Sequence, residues 1–349
     1  MDILAAHAAD TEQRGRLAPE SLKAAREAGA FALRTPVAYG GSWAGAVEVA
    51  GLIAATARHC PSTAWVASTS LGSKNMLTFG DFPDSLLDEV FRDPDVPSCG
   101  VGAPSGIGVS GPDGVRLRGR WANASGCEDA DWACLGTMVD GAFALVVVPT
   151  ADLIIDHTWN VAGLRGTGSH SLVADDILVP IDQVASGGRL HYPPDAASVQ
   201  LWGLTVLATV VGATRGALDV IEAVFASSRK PFMTSYRSMG ESPGARHWLA
   251  EAAALQLRAQ RTMLALAARI DAEPAINALE NSRMQYERSQ AAKDCQAAID
   301  RILDLHGASG FAAGNPLQRF WRDMAVASRH PQLNAYLTAE GFGRALTAA

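Results

Sequence analysis

Residues 159–169 read WNVAGLRGTGS, and the reading of this stretch decides the fold. Strand-like apolar runs lie before it at 145–148 and 153–155 and after it at 172–179, so it is a loop held between β elements. Gly163, Gly166 and Gly168 alternate with Arg165, Thr167 and Ser169. A backbone free to take positive φ, with donors and acceptors at alternate positions, can bring N–H groups close to a ligand. The same residues also suit a tight turn with polar decoration. The surrounding chain separates the two readings.

Working outward, the period on either side of the loop is close to 2. GVRLRGRWANAS at 114–125 alternates after the turn signal Pro112-Asp113-Gly114 and is a hairpin arm. Residues 132–139, 141–149 and 169–179 supply further strands. Upstream, Pro94, Pro97, Pro104 and Pro112 alternate with glycines from Gly100 to Gly114 and break any helix. Before about residue 92 the pattern is helical, with helices expected at 19–29, 47–59, 63–79 and 84–91 and a glycine-rich connection at 35–45. After about residue 196 long Ala- and Leu-rich helices are expected at 201–227, 245–270, 274–306, 317–329 and 331–346, packed antiparallel through short connections. The fold class is therefore α+β and mostly α. It comprises an N-terminal helical domain at 1–93, a small central β barrel or sandwich, mostly antiparallel, at 94–190, and a C-terminal four-helix bundle at 191–349.

Composition narrows the function. With 349 residues, 48% of them hydrophobic, the chain can bury a large core. A formal charge of −7 offers nothing to a polyanion, so nucleic acid is not an expected partner. The five cysteines are scattered with no C-x-x-C pair, which predicts reduced thiols in a cytoplasmic protein and no metal site. No apolar run approaches the ~18 residues of a membrane span, and the first residues lack the basic-then-apolar pattern of an export signal.

Four local motifs add to this order of helices, sheet and helices. They are ASGC at 124–127 after Gly119-Arg120-Trp121, LRGTGS leading into a strand that ends at Val179-Pro180, HGASGF at 306–311, and PLQRFWRD at 316–323 followed by His330. In that order and spacing, from about residue 10 to 345, the chain resembles the acyl-CoA dehydrogenase fold family. Within it, the chain is most similar to the two-component flavin monooxygenases. The resemblance implies an oxygenase component that receives reduced FMN, or FAD, from a separate flavin reductase. It would react this with O2 to a flavin C4a-hydroperoxide and oxygenate a small organic metabolite. It implies a homotetramer. Ser125 falls where the family has a serine that meets flavin N5, with Trp121 on the same strand. Thr167, Gly168 and Ser169 match the loop bordering the isoalloxazine. Gly307, Gly310 and Phe311 match a loop that holds a neighbouring subunit's flavin, and His330 matches a histidine near flavin and substrate. Ser125 and His330 would form a minimal catalytic set. A hydroxyl can donate or accept as the ring changes redox state, and an imidazole titrating near neutral pH can pass a proton.

The chain also departs from that pattern. Ser73 and Lys74 stand near where phenol-hydroxylating members carry a second histidine, Gly100 where a serine is common, and Glu128-Asp129 where a histidine follows ASGC. These changes remove groups that activate a phenol. An acyl-CoA dehydrogenase reading needs a glutamate base, and Glu340 lies well past His330. A non-catalytic flavin-binding subunit is the third reading. Read without the resemblance, His330 before Pro331 suits an interhelix turn, and His306 is expected at a helix C-terminus facing the macrodipole. His157, His170, His191 and His247 have no metal spacing. Arg165 is placed either to hold a phosphate or to pair with Asp175 or Asp176, and Arg319 and Arg322 are expected to form intrahelical or intersubunit ion pairs. The charge run 283–293 reads as a solvated helix face.

Overall fold

The computed structural model describes residues 1–272 and 275–348. Five helices come first: α1 (Asp2–Arg14), α2 (Pro19–Glu27), α3 (Ala46–Ala57), α4 (Pro61–Leu77) and α5 (Asp84–Val90). Proline at the first turn starts α2 and α4, where a missing N–H costs nothing. Helix α4 is buried over most of its surface because it is wedged between the sheet and the C-terminal helices.

Seven strands follow: β1 (Ser98–Gly111), β2 (Gly114–Ala124), β3 (Trp132–Val139), β4 (Ala142–Pro149), β5 (Ile154–Asp156), β6 (His170–Val179) and β7 (Val184–Ser186). They form one sheet in the order β5-β6-β2-β1-β3-β4-β7. Every pairing is antiparallel except β1 with β3. Both faces are covered. Ala133, Leu135, Val146 and Val148 join Trp121 on one face, while Trp132, Cys134, Leu145 and Val147 meet Leu77, Phe82 and Leu86 on the other. That double burial explains why β3 and β4 read as nearly continuous apolar runs rather than clean alternation.

Strand β1 was hidden in the stretch of prolines and glycines. Its register shifts between Val101 and Gly106, which accommodates Pro104 in a bulge. A side chain at Gly106 would meet the Trp121 ring at 2.2 Å, so this central strand must be bare where the indole lies on it.

The helical remainder comprises α6 (Ala196–Phe225), α7 (Pro243–Asp271), α8 (Ala278–His306), α9 (Pro316–Ala327) and α10 (Ala335–Thr347). Asp195, Ser242, Asn277 and Asn315 cap the first four through their side chains. The expected helix at 274–306 is observed from Ala278; the expected start at Pro274 lies outside the described residues. Helix α6 is long and apolar enough to cross a membrane, but 72% of its most apolar window is buried within the protein. The expected helix at 331–346 is split, with Pro331–Leu333 forming a 3-10 turn before α10.

Candidate functional site

The loop at 159–169 is clamped between two helices, α1 and α9. Leu164 and Gly168 both take left-handed φ, 54° and 49°, around a 3-10 turn at Arg165–Thr167. The left-handed Leu164 is held because its N–H donates to Oδ1 of Asp323 on α9 at 2.6 Å. A Cβ at Gly163 would sit 2.0 Å from the Arg322 carbonyl oxygen, and one at Gly166 would sit 2.4 Å from Cγ2 of Thr11 on α1. These two glycines therefore serve close helix approach rather than ligand approach. Arg322 pairs with Glu12 across α9 and α1 at 2.5 Å, a bridge between elements of one chain where an intrahelical or intersubunit pair was expected. Burial pushes the Asp323 carboxyl up to about 7. Arg165 is exposed, and Asp176 is bridged by Arg118 and Arg116 instead.

Beneath the loop, three predicted residues meet in a chain of hydroxyls. Thr167 Oγ1 donates to Leu164 O at 2.8 Å, so its hydrogen is committed. Ser169 Oγ, 2.7 Å away, must then donate to Thr167, and Ser125 Oγ, 2.7 Å from Ser169, must donate to Ser169. Trp65 Nε1–H donates to Ser125 Oγ at 3.1 Å. The relay therefore runs one way, from Trp65 through Ser125, Ser169 and Thr167 to Leu164. Ser125 has given away its only hydrogen and keeps one lone pair.

His330 joins this group through aromatic contacts. Its ring meets Trp65 edge-on at 5.6 Å and Trp202 at 6.2 Å. Burial first, and the Arg288 charge second, pull its pKa down to about 4. It is therefore neutral at pH 7 and cannot be the near-neutral proton donor that the sequence suggested. Nδ1 accepts from Gln332 N at 3.2 Å, which places the ring proton on Nε2 as a donor. Sequence reasoning missed Arg288, which sits inside the charge run read as solvated. Its guanidinium is 1% exposed and donates to Gln200 Oε1 (2.7 Å), Gln332 O (3.0 Å) and Gln332 Oε1 (2.6 Å). Gly203 makes the room, since a Cβ there would meet the guanidinium at 2.1 Å.

The depressed pKa has a measurable consequence. Between about pH 4 and 6.5 the unfolded imidazole binds more protons than the folded one, so stability rises with pH there by up to about 3 kcal/mol and is flat above. Urea unfolding at pH 4.5 and 7.5 should show wild type losing more stability at the acid end than His330→Gln. Parallel losses would contradict the neutral assignment.

Trp202 also borders a cavity of about 430 Å³ between α4, β1, β4, the segment 192–194 and α6, within the usual range for a small-molecule site. Its walls are mainly apolar, with Leu71, Met76, Phe79, Phe143, Leu145 and Val199 among them. Ser73 and Gly100 line it, and neither offers acid or base chemistry. Ser73 Oγ is committed to Ser98 Oγ (2.8 Å) and Cys99 O (2.7 Å). A Cβ at Gly100 would clash with Met76, Cys134 O and Ser73 Oγ, all within 2.9 Å. Lys74 turns away into a cage of Phe31 O, Thr35 Oγ1 and Pro94 O. No carboxylate lines this cavity among the described residues, and Glu340 is on the surface paired with Arg344, so a dehydrogenase base has no candidate there.

The remaining predicted residues lie elsewhere. Trp121 is fully enclosed in the sheet core, and its N–H donates to Gly136 O at 2.7 Å, so its ring has no surface to offer a cofactor. Gly168 lies in the left-handed region, and a Cβ there would meet Gly15 O at 3.1 Å and Glu128 Oε2 at 3.2 Å. Gly307, Gly310 and Phe311 form the turn between α8 and α9, where Phe311 is half-exposed against Trp321. His306 is not the cation of its helix terminus. Burial and Arg229 lower its pKa, and Arg229 itself donates to the His306 carbonyl oxygen. Glu128, His157 and His170, which no sequence spacing links, converge around His170 Nε2. Trp159 N–H donates to His170 Nδ1 at 3.2 Å, so Nε2 carries the ring proton and is a donor rather than a metal ligand.

Residues 2–82 match the family "Acyl-CoA dehydrogenase, N-terminal domain" and residues 204–335 match "Acyl-CoA dehydrogenase, C-terminal domain". The chain belongs to the acyl-CoA dehydrogenase fold family. Within that family it falls among the oxygenase components of two-component flavin-dependent monooxygenases, and it is an oxidoreductase. The flavin-dependent monooxygenase oxygenase subunit HsaA of Rhodococcus jostii (strain RHA1) is 33% identical over 95% of this chain and 91% of its own length. The FADH(2)-dependent resorcinol hydroxylase oxygenase component of Rhizobium sp. (strain MTP-10005) is 30% identical over 95% and 88%. The structure of XiaF from Streptomyces sp., in complex with FADH2 and glycerol, superposes with a TM-score of 0.90 at 29% identity, covering 100% of this chain and 93% of that one.

Proposed function

We propose that this chain takes reduced FAD from a separate flavin reductase, brings it together with O2 and transfers oxygen to a small aromatic substrate held in the 430 Å³ cavity. The observation that carries this reading is the one-way hydroxyl relay. It fixes Ser125 as an acceptor. N5 of a reduced flavin bears a hydrogen, whereas N5 of the oxidised ring has only a lone pair, so the Ser125 acceptor fits the reduced form and mismatches the oxidised one. Bound reduced flavin supplies the electrons that activate oxygen. The chain's own groups do the rest. Ser169 and Thr167 hold the polarity of Ser125, Trp65 and Trp202 pack edge-on against the His330 ring, and neutral His330 presents Nε2–H as a donor.

Support for FAD over FMN comes from the relatives at 29–30% identity whose names carry FADH2; the FMN-bound neighbour at 17% identity speaks for fold alone. Phe232 and Met233, 91% and 89% exposed, and half-exposed Phe311 leave apolar surface of the kind covered by subunit contacts. This suits a homotetramer in which Gly307, Gly310 and Phe311 face a neighbouring subunit. Anaerobic titration with photoreduced FAD and photoreduced FMN tests the cofactor choice. FAD should bind about tenfold tighter or better; equal affinities, or tighter FMN, would contradict it.

A further inference from the structure

Arg34 is the one charged side chain among the residues lining the cavity. It has no ion pair among the described residues. Nη1 donates to Ala44 O at 3.1 Å and Nη2 to Asn75 Oδ1 at 2.9 Å, while buried Nε has no partner. Of the five guanidinium N–H groups, three are left over. The Trp43 ring lies under the guanidinium at 3.6 Å and fixes its plane without neutralising it. The acids whose fields reach it, Asp271 and Asp195, are both committed elsewhere. Asp271 caps α3 through Ala46 N and Val47 N, and Asp195 caps α6 through Ser198 N and Ser198 Oγ. A guanidinium held in a mainly apolar pocket without a counter-ion is a site for an anion, because a partly buried charge left unpaired costs free energy that a bidentate carboxylate returns.

Its position sets what the anion is attached to. Helices α4 and α6 run antiparallel here: Ser68 contacts Thr205 and Thr209, and Gly72 faces Trp202. Thr69, Trp202 and Thr205 mark the end of the cavity next to His330. Asn75, bonded to Arg34, is six residues further along α4, which is about 9 Å at 1.5 Å per residue. We infer that the cavity binds an aromatic carboxylate lengthwise, its carboxylate on Arg34 and its ring against Trp202 near His330. The place of this step in turnover rests on the oxygenase reading above; the binding itself does not.

Calorimetric titration of the purified full chain with 1-naphthylacetate and its neutral analogue 1-naphthylacetamide, without flavin, tests the assignment. Wild type should bind the acid about tenfold tighter than the amide or better. Arg34→Gln should bring the acid down to the amide and leave the amide unchanged, while Arg34→Lys should retain part of the preference as a point charge. Equal binding of acid and amide by wild type, no binding of either, or an equal loss of both in Arg34→Gln would overturn the inference. None of these outcomes depends on reactivity with oxygen, so they are separable from failure of the oxygenase reading.

Discussion

Gly163→Ala should unseat the loop at 159–169 and cost about 3 kcal/mol or more of stability. The added methyl would sit 2.0 Å from Arg322 O and 2.7 Å from Asp323 N, and both are backbone atoms of a packed helix that cannot rotate away. Relief requires the loop to lift from α9. Lifting breaks the bond from Leu164 N to Asp323 and leaves a fully buried carboxyl without that partner. It also displaces the Leu164 carbonyl oxygen, the terminal acceptor of the hydroxyl relay, so the defect reaches Ser125. Gly188→Ala is the matched control, since nothing lies within 4 Å of a Cβ there. Urea unfolding of the two variants should separate them by that margin; equal stabilities would mean that the loop is not clamped as described.

Ser125→Ala should remove redox discrimination rather than flavin affinity in general. The substitution deletes the acceptor for Trp65 Nε1–H and the donor to Ser169, while the Ser169 hydrogen stays committed to Thr167. The lost acceptor contributes to binding only when N5 bears a hydrogen. Dissociation constants for reduced FAD should rise about tenfold to a hundredfold, corresponding to 1.4–2.8 kcal/mol, while those for oxidised FAD stay level or improve. Hydrogen peroxide release per reduced flavin consumed should rise in parallel. An equal weakening of both redox forms would reduce Ser125 to a packing residue.

What the sequence disclosed depended on whether the physical cause was local. The hairpin arm at Gly114–Ala124 was readable because the Pro112-Asp113-Gly114 turn and strict alternation are local signals. Helix starts were readable for the same reason, through prolines and small polar caps. Strand β1 was not, because its glycines answer to Trp121 and to neighbouring backbone across the sheet rather than to their own neighbours in sequence. Gly163 and Gly166 invited a ligand-cradling reading for the same reason, since their partners lie on α9 and α1. Arg288 looked like one more charge on a solvated helix, and only Gly203, Gln200 and Gln332, distant in sequence, make it a buried support beneath His330. The family motifs located Ser125, Thr167, Ser169 and His330, yet the direction of the relay and the neutrality of His330 needed three-dimensional placement. Arg34 carries no motif at all; it becomes informative once the cavity lining around it proves to contain no acid.

The central claim is that this chain holds reduced flavin and controls its meeting with oxygen. It is tested most directly by rapid mixing of the anaerobic complex with reduced FAD against oxygenated buffer, following the appearance of oxidised flavin. Reoxidation should be at least about tenfold slower than for free reduced FAD under the same conditions, since a bound ring would be shielded from solvent and its N5–H would have Ser125 as acceptor. Reoxidation at the rate of free flavin would contradict the claim.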